Sequence, residues 1–374
     1  MNITLFTRSL DYGGAERQLV ALANGMKSRG NNVSVTVFYP DGPLGIDIPK
    51  KGIAVESLSK RGRWDIIGFF FRLVAHMRRN KMDILHSYLT VPNILAVLLK
   101  PFIPGAKVVW GIRASNMDIG QYDWLSRFVS RLERMLSRFA DLIIVNSDAG
   151  FRHSVSIGFP ENRMVVIQNG IDTAFFYPDH SDRLTLRKTW GISDDATVIG
   201  LVARFDPMKD HQTFFRAANI FLQKFPDTKL ALVGSGPDDY IAELKKLCNT
   251  LGISSSIVWT GSHENMRGVY NAFDIATLSS SFGEGFPNVI GEAMACGTPC
   301  VATDVGDSAL IIGETGLCVP PEDPEELAKA WEMTLENIDA NIEAIRIKIR
   351  ERIETMFSRD TMIERSVNEL KKLL

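Results

Sequence analysis

Cysteine is scarce in this chain. Its four residues, Cys248, Cys296, Cys300 and Cys318, all lie in the second half and show no Cys-x-x-Cys or mixed Cys/His spacing. That excludes a disulfide framework and the common zinc spacings, and it points to buried free thiols in a reducing compartment. Long apolar runs are missing too. The stretches near Ile66–Met77 and Val91–Ile103 are interrupted by Arg72, Lys100 and prolines, and neither reaches the roughly 20 residues a spanning helix needs. The opening MNITLFTRSLD has no basic segment ahead of an apolar one and reads as a first strand, so a cytoplasmic location is expected. Nowhere are two aspartates separated by a single residue, so the carboxylate pair that often holds Mg²⁺ or Mn²⁺ on a diphosphate is lacking. The dinucleotide fingerprint G-x-G-x-x-G is lacking as well: in LVGSGPDD the third glycine position is Asp239. No aromatic-interleaved RNA motif is present, and no nucleic-acid partner is expected.

The 374 residues, 45% hydrophobic and 23% charged, suit a soluble chain of two domains. Strands are expected at Ile3–Thr7, Asn32–Phe38, Ile53–Leu58, Asp83–Ser87, Lys107–Gly111, Asp141–Asn146 and Met164–Gln168, alternating with helices. After a polar, turn-rich stretch, Asn169–Arg183, a second βα series begins at Thr197. Such alternation predicts two α/β domains with parallel, doubly wound sheets, divided at residues 1–177 and 178–357. The net charge of −2 conceals an asymmetry: residues 1–177 hold 22 Lys and Arg against 14 Asp and Glu, and residues 178–374 hold 20 against 30. Much of the basic excess comes from Arg61–Lys81 and Trp124–Ala140. In the latter, Arg127, Arg131, Arg134 and Arg138 make one helical stripe beside Phe128, Leu132, Leu136 and Phe139. A stripe of this kind suits an anionic membrane surface and equally a solvated helix face.

Ligands of doubly wound sheets sit at the carboxyl ends of strands, and chemistry-bearing residues cluster there. Gly13 and Gly14 precede the first helix, and Gly234 and Gly236 follow a later strand; either pair allows backbone to approach a phosphate, or simply shapes a turn. His86, Arg113 and Asn169 fall at strand ends. Arg204 and Lys209, five residues apart on one loop, are suited to converge on a phosphate pair. The segment Ser279–Cys300, SSSFGEGFPNVIGEAMACGTPC, reads as strand, glycine-rich turn and helix, with Glu284 in the loop, Glu292 beyond the first helical turn, and Gly285, Phe286, Pro287 and Asn288 between them. Two carboxylates so placed can share a pocket; one capping a turn and one solvated would fit as well.

This segment resembles the signature of glycosyltransferase family 4, retaining transferases of the GT-B fold, with two Glu separated by seven residues. GGAER, ILHSYLTVPN, WGIR and NGID in the first half are similar to that family's motifs, and ARFDPMKDH to its diphosphate-binding Arg and Lys. The resemblance implies two Rossmann-like parallel-sheet domains facing a central cleft, with the last helix, about residues 358–374, crossing back onto the N-terminal domain. It implies diphosphate contacts from Arg204 and Lys209, donor-sugar hydroxyls on Glu284, ribose on Glu292, and nucleotide contacts from Gly234 and Gly236. His86, Arg113 and Asn169 fall on the acceptor side, where many relatives carry a histidine near the position of Arg113. The implied activity is metal-independent, retaining transfer from a nucleotide-diphosphate sugar, UDP-sugars favoured over GDP-sugars, to a glycan or lipid-linked hydroxyl in cell-envelope polysaccharide synthesis. With the basic first half, that places the protein on the inner face of the plasma membrane. A nucleotide-sugar 2-epimerase, a glycogen-type or sucrose-type synthase, and a silent membrane-docked nucleotide-binding scaffold are the alternatives.

Overall fold

The structure is a computed structural model that describes residues 1–40, 42–62, 64–113 and 124–374. The chain forms two compact units, Met1–Gly170 together with Arg359–Leu374, and Ile171–Ser358.

Unit 1 holds seven parallel strands: β1 (Asn2–Thr7), β2 (Asn32–Val37), β3 (Ala54–Ser57), β4 (Ile84–Tyr88), β5 (Lys107–Ile112), β6 (Leu142–Val145) and β7 (Met164–Val166), in the order β3-β2-β1-β4-β5-β6-β7. Alternate residues of a strand point to opposite faces, and both faces are covered. Ile3 and Leu5 join one apolar core with Val33, Val35 and Ile84. Phe6 joins the other with Leu85, Val108 and Trp110. Burial on both faces accounts for the apolar runs of the inner strands, as in VVWGI of β5 and LIIV of β6, whereas the edge strand β3, AVES, is exposed at both ends.

The helix Arg359–Lys371 adds Met362, Ile363, Val367 and Leu370 to the first of these cores. It lies against the helix Gly14–Ser28 at Gly25, where a Cβ would stand 2.1 Å from Ile363 Cδ1. The division between units falls at Gly170, upstream of the 177/178 boundary read from composition. The cause is packing: Ile171 and Phe176 belong to a core of unit 2, and the Ile171 amide donates to the Phe357 carbonyl at 2.8 Å.

Unit 2 holds β8 (Val198–Val202), β9 (Lys229–Val233), β10 (Ile257–Gly261), β11 (Ile275–Leu278), β12 (Cys300–Thr303) and β13 (Leu317–Val319), all parallel, in the order β10-β9-β8-β11-β12-β13. Ile199 and Leu201 face one core, and Val198 and Ala276 the other. The long helix Pro324–Met356 serves both, with Leu327 and Trp331 on one and Ile349 and Ile353 on the other; Asn341 between them leaves helical geometry. Buried Arg187 pairs with Asp274 at 2.7 Å and donates to the carbonyls of Ala196 and Ala272, so its charge is satisfied in the interior. Three cysteines are buried, but Cys318 is exposed because β13 is an edge strand. Among the described residues no helix is long and apolar enough to cross a membrane.

Candidate active site

In unit 2 the chain runs from β8 outward through β9 and β10 on one side, and from β11 through β12 and β13 on the other. The strand order reverses between β8 and β11, which pair directly, and such a reversal opens a crevice at the carboxyl ends of the two strands. The loop after β8 carries Arg204 and Lys209, and the loop after β11 carries Glu284.

These two loops are fitted closely together. Ser279 donates from Oγ to the Lys209 carbonyl at 2.8 Å, and the Ser281 amide donates to the Met208 carbonyl at 3.0 Å. Gly283 has a φ of 79° and lies where a Cβ would meet Met208 Sδ at 2.5 Å, so only glycine serves there. Asp206 accepts the Met208 amide at 3.0 Å, which shapes the short turn Pro207–Lys209. Asp210 follows in the left-handed region, with a φ of 44°, and caps the helix His211–Leu222 through the Thr213 amide at 3.1 Å. A non-glycine residue held at positive φ is the kind of strain that gathers at functional sites.

The consequence is an ion pair joining residues 75 apart in sequence: Lys209 Nζ donates to Glu284 Oε1, with the two side chains 16% and 10% exposed. The same Glu284 oxygen accepts the Ser280 hydroxyl at 2.6 Å. Arg204 turns instead to Asp206, 3.3 Å away, and its side chain is 72% exposed. A third loop closes in behind. The Asp307 amide donates to the Gly285 carbonyl at 2.8 Å, and a Cβ on Gly306 would stand 2.5 Å from that carbonyl oxygen.

Phe286 is buried in the core, its ring 5.5 Å from that of Phe357. Its side chain is structural, and the backbone is the part left for a ligand. Pro287 is the N-cap of the helix Asn288–Ala295 and supplies no side-chain cap. The first-turn amides and the dipole make that end receptive to an anion. Glu292, on the same helix, accepts the Tyr270 hydroxyl at 2.6 Å.

Gly234 and Gly236 have a packing explanation. A Cβ on Gly234, whose φ is 151°, would meet the Ala203 carbonyl at 1.9 Å, and one on Gly236 the Phe205 carbonyl at 2.4 Å. The loop after β9 therefore lies against the loop that carries Arg204. His211, next to Lys209 in this assembly, is fully buried beside Phe205; burial, with Lys209 nearby, lowers its pKa to about 4.

The remaining sequence-derived residues belong to unit 1. Gly13 is the N-cap of the first helix and Gly14 its first residue. His86 is fully buried, and neither ring nitrogen has a hydrogen-bond partner among the described residues; burial, and secondarily the Arg113 charge, lower its pKa to about 3. Its ring packs on Tyr88 at 4.7 Å, Arg113 lies over the Tyr88 ring at 4.5 Å, and Arg113 donates to Asn169 Oδ1 at 3.1 Å. His86, Arg113 and Asn169 are thus one cluster, organised by Tyr88. Sequence reasoning passed over Tyr88, Tyr270, Ser280 and Asp206. Ser280 sits in a visible run of serines at a strand end, whereas Tyr270 meets Glu292 from another helix and leaves no mark in the linear pattern.

Residues 12–175 match the family described as Glycosyltransferase Family 4, and residues 196–337 match Glycosyl transferases group 1. A protein named D-inositol 3-phosphate glycosyltransferase 2 from Catenulispora acidiphila is 32% identical over 355 residues, covering 86% of this chain and 81% of its own. The D-inositol 3-phosphate glycosyltransferase of Corynebacterium jeikeium is 30% identical over 304 residues, 75% of this chain and 70% of its own. Among solved structures, Anabaena Alr3699/HepE in complex with UDP aligns over the full length of both chains with a TM-score of 0.87 at 23% identity. With two Rossmann-like parallel sheets and sequence relatives of this kind, the chain belongs to the family 4 glycosyltransferases of the GT-B fold.

Proposed function

We propose that this transferase moves a sugar from a nucleotide-diphosphate sugar, a UDP-sugar in preference to a GDP-sugar, to a hydroxyl of a glycan or lipid-linked acceptor, with the anomeric configuration retained. The observation that carries this reading is the Lys209–Glu284 pair at the β8/β11 crossover, flanked by Arg204 and the N-terminus of the helix Asn288–Ala295. The departing nucleoside diphosphate gains negative charge, and Lys209, Arg204 and the helix amides stabilise it as preorganised donors. Glu284 holds donor-sugar hydroxyls once Lys209 turns toward the phosphates, and Glu292 holds the ribose. The acceptor hydroxyl attacks on the leaving-group face, and a diphosphate oxygen takes its proton. No divalent ion is called for, because side-chain cations do the neutralising. The UDP and UDP-glucose complexes of Anabaena HepE support the choice of nucleotide, and the role in cell-envelope polysaccharide synthesis follows from the family reading.

The test is thermal shift with UDP, GDP and ADP, followed by donor turnover with and without EDTA. A ligand that binds only the folded state at 100 times its Kd stabilises by about 2.7 kcal/mol, so UDP is expected to give the largest shift. Turnover is expected to survive chelation. Activity that vanishes in EDTA and returns with Mn²⁺ overturns the mechanism, and an epimer formed from donor alone identifies the protein as an epimerase instead.

A further inference from the structure

Unit 1 contains a cavity of about 1260 Å³ that the site in unit 2 does not account for. It lies where the first five strands end: Arg8 follows β1, Phe38 follows β2, Lys60 lies beyond β3, Leu89 follows β4 and Arg113 follows β5. The strand order of this sheet reverses between β1 and β4, so the cavity occupies the crevice where a doubly wound sheet takes its ligand. It exceeds the roughly 300–1,000 Å³ usual for small-molecule pockets.

Most of its wall is hydrocarbon, with Thr90, Asn93, Ser126, Ser130, His153 and Ser154 as neutral polar side chains among it. Phe70 and Phe71 come from the helix Ile67–Arg79, Leu95 and Leu98 from Thr90–Leu99, and Leu125 and Val129 from Trp124–Leu136. Ile66, Ile67 and Phe71 line it and are also 62%, 74% and 68% exposed, so the apolar lining runs out to the surface. A bare sugar would leave the hydroxyls that face the phenylalanine, leucine and isoleucine side chains without partners. The basic side chains among the described residues of the lining lie on the strand-end side. Arg8 rests on the Tyr39 ring, Lys60 on the Phe69 ring and the Gly62 carbonyl, and Arg113 on Tyr88 and Asn169. Among the described residues none of the three pairs with a carboxylate. Among the described residues Glu133 is the one acidic side chain in the lining; burial raises its pKa to about 7, so near neutral pH it carries about half of its charge.

We propose that this cavity seats the acceptor and that the acceptor is an anionic amphiphile, its aliphatic chain held between the helices and its phosphate-type linkage on Arg8, Lys60 and Arg113. The inference rests on the reading of the chain as a transferase to a lipid-linked hydroxyl, and narrows it. Apolar walls opening to the surface fit a chain entering from a lipid layer. The exposed Arg127, Arg131 and Arg138, with Phe128 and Phe139 each 57% exposed on the same helical segment, fit contact with the headgroups around it.

Isothermal titration of the full chain with dodecyl phosphate, dodecyl maltoside and inorganic phosphate, all below any micelle threshold, tests this. Dodecyl phosphate is expected to bind one per chain. Inorganic phosphate is expected to give no heat, and the neutral maltoside to bind at least about tenfold more weakly. Val129→Trp, which fills the cavity, is expected to weaken dodecyl phosphate by about tenfold or more, and Arg8→Ala with Lys60→Ala by about tenfold at low salt without affecting the maltoside. The calorimetric transition of unit 1 reports folding in each variant, and Ser130→Phe replaces Val129→Trp if that transition is lost. Phosphate binding as tightly as its dodecyl ester would reveal a free-anion site; binding indifferent to Val129→Trp would reveal adsorption elsewhere; displacement by UDP would reveal a nucleotide site. Each of the three overturns the proposal. Absence of a UDP shift in the wild-type chain, with amphiphile binding intact, defeats the donor reading and leaves this one standing.

Discussion

The Lys209–Glu284 pair has consequences for stability as well as chemistry. Both side chains are mostly buried, and Glu284 is also held by Ser280. Replacing Lys209 by Ala leaves a buried carboxylate without its cation, which costs more than removing both partners. Lys209→Ala is therefore expected to destabilise by about 1–3 kcal/mol more than the Lys209→Ala, Glu284→Ala double variant, measured by urea denaturation. Either single variant is expected to lose about 10²–10³ in turnover, and wild-type turnover in either removes the site assignment. The buried histidines set an acid limit. His86 and His211 have folded-state pKa values lowered to about 3 and about 4 by burial, from 6.5. Below pH 6.5 the unfolded chain binds protons that the folded chain does not, so stability falls as pH falls toward those values. Each contributes a slope of about 1.4 kcal/mol per pH unit inside its window. His86→Phe is expected to flatten the profile between pH 4 and 6, and an unchanged slope would show that the ring is reached by water.

Among the elements, the site depends on four loops, those after β8, β9, β11 and β12, packed backbone to backbone. Gly234 sits 2.9 Å from the Gly261 carbonyl through its amide, with no room for a Cβ beside Ala203. Gly234→Ala is expected to cost about 1–3 kcal/mol from backbone strain and collision, and to weaken the UDP thermal shift because the displaced loop carries Arg204. A full UDP shift in that variant would detach the β9 loop from the donor site. The helix Arg359–Lys371 is held in unit 1 by a side chain fitted to a glycine. Ile363→Ala is expected to destabilise unit 1 by about 2–5 kcal/mol, the usual cost of truncating a buried isoleucine, read from calorimetry.

For the whole molecule, unit 1 is discontinuous: it is completed by residues that follow unit 2 in the chain. Truncation after Ser358 removes four buried apolar side chains, Met362, Ile363, Val367 and Leu370, each contributing about 1.5–3 kcal/mol. Unit 1 is then expected to melt first or fail to fold, while the transition of unit 2 still shifts upward with UDP. Loss of both transitions together would mean that unit 2 depends on its neighbour.

That the chain forms two doubly wound sheets is already legible in its residue pattern. Inner strands buried on both faces read as apolar runs, so the seven strands of unit 1 and the start of a second series at Thr197 were legible from βα patterning. It also marked Arg204, Lys209, Glu284 and Glu292, because charged residues and glycines at strand ends stand out against such runs. Only the tertiary structure decided that Lys209 meets Glu284 rather than Arg204, that Phe286 faces the core and that Gly234 is required by the Ala203 carbonyl. It likewise decided that the strand ends of unit 1 enclose a large apolar cavity. Those facts depend on which loops a parallel sheet brings together across tens of residues, and that pairing is set by strand order, which no local pattern in the chain encodes.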